Sequence, residues 1–235
     1  MKKLSIILIL ILASLPVFAN PFRGNVTLVI IDAGHGGKDP GAMSGSIREK
    51  DIVLSVAKAL EKELSAFTDV ILTRETDTFL ELQERCDFAN ASSFNLEGYP
   101  LFISLHVNAA ENPSATGFEI YVKQKARNLT LLSKSTSGAL ISKYASYTNS
   151  QVNGYINTVN AYFASKLESS ISRAFPLLKD RGVKEGDLWV LNQTFMPSCL
   201  IELGFITNEG DREKLTDPAW QKKMASAIAD AVKSL

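Results

Sequence analysis

Apolar positions in this chain fall into short blocks of Val, Ile and Leu, separated by longer stretches in which they recur every three or four residues. The blocks fit strands buried on both faces and the stretches fit amphipathic helices. Their alternation predicts an α/β fold: one domain with a mostly parallel twisted sheet and helices on both faces. Val26 to Ile31 is the first strand, stopped by Asp32-Ala33-Gly34-His35-Gly36-Gly37, where glycines force a loop. A helix follows with Ile52, Val56, Leu60 and Leu64 on its inner stripe and Glu49 at its entrance. Further strands are expected at Asp69 to Thr73, Leu101 to Leu105 (ending in His106), Gly117 to Val122, Leu188 to Leu191 and Ser198 to Leu203, the last carrying Glu202. Helices are expected around Leu82, Cys86 and Ala89 and over Val159 to Ala174. A terminal helix opened by Pro218 buries Trp220, Met224, Ile228, Val232 and Leu235.

The first 19 residues break this pattern. Met1-Lys2-Lys3, an apolar run from Leu4 to Leu15 and the Val17-Phe18-Ala19 ending form a secretory leader, cut after Ala19, and the run is short for a membrane span. The expected mature domain is therefore 20–235, exported to the periplasm or cell envelope and without a membrane span. No internal repeat or appended module is visible. The full chain carries 25 basic and 25 acidic residues. Removing the leader takes two lysines away, and near-neutral charge argues against nucleic acid as a partner. Cys86 and Cys199 sit in apolar patterns and are expected as buried free thiols, although an exported protein could bridge them.

The chain has only 2 histidines, His35 and His106, and both are expected at the ends of buried strands, where open α/β sheets form their ligand crevices. Two imidazoles and one carboxylate suit a single Zn2+ ion with an open position for water. Glu49 is the carboxylate candidate, although an acidic residue at a helix N-terminus also favours the helix dipole. Glu202 lies in the apolar run Ser198-Cys199-Leu200-Ile201-Glu202-Leu203-Gly204-Phe205, where a charge is costly without a partner or a task. A cationic site nearby would supply both, with Glu202 accepting and returning a proton. The structural alternative is an ion pair to Arg74 or Arg85.

With these residues placed, the chain resembles the zinc-dependent N-acetylmuramoyl-L-alanine amidases, which detach stem peptides from peptidoglycan glycan strands. The matching stretches are Ile31 to Gly41, Glu49-Lys50-Asp51, Leu72-Thr73-Arg74, Ser104 to Ala109 and Glu202 to Asn208, in the family's order. The resemblance implies His35, Glu49 and His106 as zinc ligands, Glu202 as the catalytic glutamate, peptidoglycan as substrate, and an activator protein as a partner in some members. Two rivals stay open: a zinc peptidase cutting within the stem, and a catalytically silent peptidoglycan-binding protein.

One segment departs from the simplest relatives, an insertion at roughly 125–158. In some relatives a helix here blocks the site with an acidic side chain. This chain has no Asp or Glu between Glu119 and Glu168, which excludes such a plug. The stretch carries Lys123, Lys125, Arg127, Lys134 and Lys143, and it fits a solvated surface insertion, a contact with the anionic stem peptide or a steric gate over the cleft.

Overall fold

The computed structural model describes residues 20–93, 98–129 and 147–235. The expected leader, residues 1–19, and the centre of the stretch expected as an insertion lie outside these residues. β1 (Val26–Ala33) shows why its sequence is apolar without alternation: Val29 and Ile31 enter one core and Leu28 and Ile30 the other. Successive side chains of a strand point to opposite faces, so a strand covered on both faces needs every position apolar.

In chain order there follow β2 (Met43–Ser44), β3 (Ile47–Arg48), α1 (Glu49–Leu64), β4 (Asp69–Leu72), α2 (Leu82–Ser92), β5 (Tyr99–Asn108) and β6 (Phe118–Lys123). Among the described residues the remaining elements are α3 (Asn149–Ala174), β7 (Asp180–Gly186), α4 (Trp189–Gln193), β8 (Ser198–Phe205), α5 (Glu209–Thr216) and α6 (Pro218–Lys233). Six strands form one sheet in the order β4-β1-β5-β8-β6-β7, and β2 pairs with β3 separately. β4, β1, β5 and β8 are parallel; β6 is antiparallel to β8, and β7 runs parallel to β6. Helices α1, α3 and α6 cover one face of this sheet and α2 with α4 the other.

Most predicted elements stand at or near their expected positions. The exception is Leu188 to Leu191, which is not a strand: Leu188 caps the short helix α4, while the strand is the preceding β7. β7 is an edge strand of sequence DRGVKEG, half exposed and charged, so it has no apolar block to reveal it. α3 starts ten residues ahead of Val159, at Asn149, because Thr148 and Gln151 form a capping box there. Residues 149–158 of the stretch expected as an insertion are thus the first turns of a long helix. In α6, Met224, Ile228 and Val232 are buried as expected; Leu235 is buried just past its end and Trp220 only partly. Cys86 and Cys199 are free, buried, and belong to the cores on opposite faces of the sheet.

Candidate metal centre and active site

β1 ends where the chain turns sharply. His35 has φ 58°, a left-handed conformation that costs a residue other than glycine about 1–3 kcal/mol. Two buried arginines hold it there. Arg85 donates to the His35 carbonyl at 2.6 Å, to the Ala33 carbonyl at 2.8 Å and to Asp32 at 2.9 Å. Arg74 donates to the carbonyls of Ala33, Gly34 and Lys50. Asp32 also accepts from Thr73 at 2.7 Å and Ser104 at 2.8 Å. Burial by itself would raise the Asp32 carboxyl, but the Arg85 charge and these hydrogen bonds hold it below its ordinary range. Both arginines serve this loop, so neither forms the ion pair that was the structural alternative for Glu202.

The braced loop presents His35 to Glu49, the first residue of α1. His35 Nε2 lies 3.1 Å and His106 Nδ1 2.9 Å from the same oxygen, Glu49 Oε1. Backbone amides fix that carboxylate, Val107 N–H on Oε1 at 2.9 Å and Ala42 N–H on Oε2 at 2.7 Å. Burial opposes its charge, yet the hydrogen bonds from His106 and His35 hold its pKa well below the ordinary carboxylate range. His35 Nδ1 meets Asp39 Oδ2 at 2.7 Å, a contact that would hold the Nδ1 proton when Nε2 ligates a metal ion. The His106 ring occupies the space above Gly34: a Cβ there would come within 2.4 Å of its Cε1. Only glycine allows the ring that close.

One ligand atom from each of His35, Glu49 and His106 lies within 4.8 Å of the others. Two imidazole nitrogens and one carboxylate oxygen converging on one point fit zinc with its fourth position open. Glu202 lies beside them because it is the register partner of His106 across β5 and β8. Its Oε2 is buried without a hydrogen-bond partner among the described residues. Burial raises its pKa to about 7, with Glu49 and Glu119 adding to the rise and His106 opposing it. A cleft of about 420 Å³ opens from His35 and His106 and is walled by Phe79, Leu82, Leu188 and Trp189.

The family model for N-acetylmuramoyl-L-alanine amidase matches residues 29–234. The chain belongs to the N-acetylmuramoyl-L-alanine amidase family. It is 31% identical to N-acetylmuramoyl-L-alanine amidase LytC of Bacillus subtilis over 92% of this chain, but spans only 36% of LytC. It is 31% identical to the N-acetylmuramoyl-L-alanine amidase of Clostridium difficile 630, whose solved structure it matches with TM-score 0.69 over 89% of this chain and 96% of that one. The CwlD amidase of Clostridioides difficile, solved in complex with the GerS lipoprotein, gives 27% identity and TM-score 0.67 over 88% and 97%.

Within this amidase-family domain the four residues singled out in the sequence come together at one end of the parallel strands. Sequence reasoning missed the residues that hold them: Asp39 behind His35, the Asp32–Arg85 pair beneath the loop, and a network around Glu119. Asp39 is four residues beyond His35 in the same motif, which was the available signal; the others need the sheet to be folded before they meet. The cations of the insertion do not converge on the site where they are described. Lys123 is buried and donates to the carbonyls of Gln124 and Arg127. Lys125 pairs with Glu185 and Arg127 with Asp187, all exposed. Lys134 and Lys143 lie outside the described residues.

Proposed function

We propose that this chain is an exported hydrolase that cuts the amide bond between N-acetylmuramic acid and L-alanine in peptidoglycan, with one zinc ion held by His35, Glu49 and His106 and with Glu202 as the proton carrier. The observation that carries the proposal is the Glu202 carboxylate, its buried Oε2 without a hydrogen-bond partner among the described residues, set beside three converging ligand atoms. When bound, zinc supplies Lewis acidity toward water and the scissile carbonyl. The protein's own groups do the rest. Glu202 accepts a proton from the attacking water and delivers it to the departing nitrogen, from its position beside His106 across the strand pair. Asp39 keeps the His35 tautomer, and the Arg85 and Arg74 bonds keep the loop in its strained form.

Export rests on the leader composition of residues 1–19. Among the described residues no helix is long and apolar enough to cross a membrane. A partner protein belongs to the proposal on the strength of the CwlD complex, and co-purification from the envelope tests it. The enzymatic test is incubation of the mature chain with peptidoglycan, with and without chelator, followed by typing of the new amino termini. Chelator-sensitive release of L-alanine termini is expected. Termini of another residue would move the cut into the stem peptide, and no termini would indicate a binding protein.

A further inference from the structure

Beyond the four site residues, the same row of the sheet continues outward. His106, Glu202 and Glu119 are successive register partners across β5, β8 and β6. Glu119 is 2% exposed and collects four donors: Arg181 Nε at 2.8 Å, Lys184 Nζ, Asn108 Nδ2 at 2.6 Å and the Tyr121 hydroxyl at 2.9 Å. Those bonds outweigh its burial and hold its carboxyl below the ordinary range.

Arg181 and Lys184 are three apart on β7, so strict alternation would send them to opposite faces. They reach the same carboxylate because the β6–β7 register slips between Phe118↔Asp180 and Ile120↔Val183, placing an extra residue on β7. Gly182 sits in that bulge with φ 82°, a conformation glycine adopts without cost. Bulges of this kind re-aim side chains beside active sites.

Two cations share one buried anion, so a positive charge is left over. Arg181 is pinned by Nε to Glu119 and by its face to the Phe205 ring, with Cζ 4.8 Å from the centroid. Its Nη1 and Nη2 meet no acceptor among the described residues, and its side chain is 27% exposed against 37% for Lys184. A rigid guanidinium with its fork free, next to an ammonium, is the standard form of carboxylate recognition. β7 lies two strands from Glu202, about 10 Å at about 4.8 Å per strand. An extended peptide covers that in about three residues.

We propose that Arg181 and Lys184, held by Glu119, form a subsite for a carboxylate of the stem peptide, near its second or third residue. This rests on the amidase reading above. The peptide then runs across β8 and β6 towards β7, while the glycan lies on the side of the Trp189 cleft. Glu119 is a positioning residue in this arrangement and touches no substrate.

The test uses two muramoyl peptides, one with free side carboxylates at the second and third residues and one with both amidated. The zinc-loaded wild type is expected to favour the free acid by about tenfold or more in kcat/KM, expressed mainly in KM. Lys184→Met and Arg181→Gln, both at part-exposed positions, should each shrink that ratio towards one. Calorimetric binding of the anionic product peptide should weaken in parallel, a readout independent of turnover. Absence of a preference in the wild type overturns the proposal, as does an equal loss on both substrates in the variants, which would make the network only structural. Failure of the wild type to release L-alanine termini from either substrate overturns the amidase reading, and the subsite with it.

Discussion

Glu202→Gln should make the metal-free protein more stable at pH 8 while removing most of its activity. In the folded chain Glu202 Oε2 has no hydrogen-bond partner among the described residues, and burial lifts its pKa from 4.5 to about 7. The unfolded chain gives up the same proton near 4.5. The folded state therefore holds the proton more tightly, so the group's contribution to stability is fully present below the unfolded pKa and is lost as pH rises through about 7. Each pH unit across that interval is worth about 1.4 kcal/mol, and the ionised carboxylate costs the metal-free fold about 3 kcal/mol at pH 8. Glutamine keeps the shape and removes the charge. Urea unfolding followed by circular dichroism, in chelator, should show the variant about 2–3 kcal/mol more stable at pH 8 and under about 1 kcal/mol more stable at pH 5. Zinc-loaded variant should hydrolyse peptidoglycan about 10²–10⁴-fold more slowly than wild type. A stability difference that is the same at both pH values would refute the electrostatic argument. Wild-type turnover would remove Glu202 from the chemistry.

Gly34→Ala places a methyl within 2.4 Å of the His106 ring, and zinc affinity measured against a chromophoric chelator should fall at least about tenfold. Unchanged affinity would mean that the ring need not sit there to bind metal. Arg85→Met leaves Asp32 buried without its charge partner and should cost about 3–5 kcal/mol in chemical unfolding at neutral pH. Because the Asp32 carboxyl lies below its ordinary value of 3.8 in the fold, that stabilisation is present above 3.8 and fades as the pH falls. The gap between Arg85→Met and wild type should therefore narrow in acid, and a constant gap would count against the ion pair.

How much of this was legible before folding depended on whether a residue's role is written in its neighbours. β1, β5 and β8 were readable because strands covered on both faces must be apolar at every position. β7 was not, because an exposed edge carries charges and glycines that resemble a loop. α5 escaped for a similar reason: its residues Glu209 to Thr216 are polar, and it stands on its Asn208 cap and on the buried Leu215 and Asp211. Asp211 accepts from the backbone of Gly117 and Phe205, contacts that link distant parts of the chain.

By itself the sequence determined the elements with strong periodicity, the strand ends at which His35 and His106 stand, and the costly charge of Glu202 in an apolar strand, because each of these is a local property of a few consecutive residues. Only the tertiary structure decided that Arg74 and Arg85 brace the His35 loop and leave Glu202 Oε2 without a partner among the described residues. It also decided that a bulge at Gly182 turns Arg181 and Lys184 onto one buried glutamate. Those outcomes depend on which strands become neighbours and in what register, and that is settled by the packing of the whole sheet between its helices.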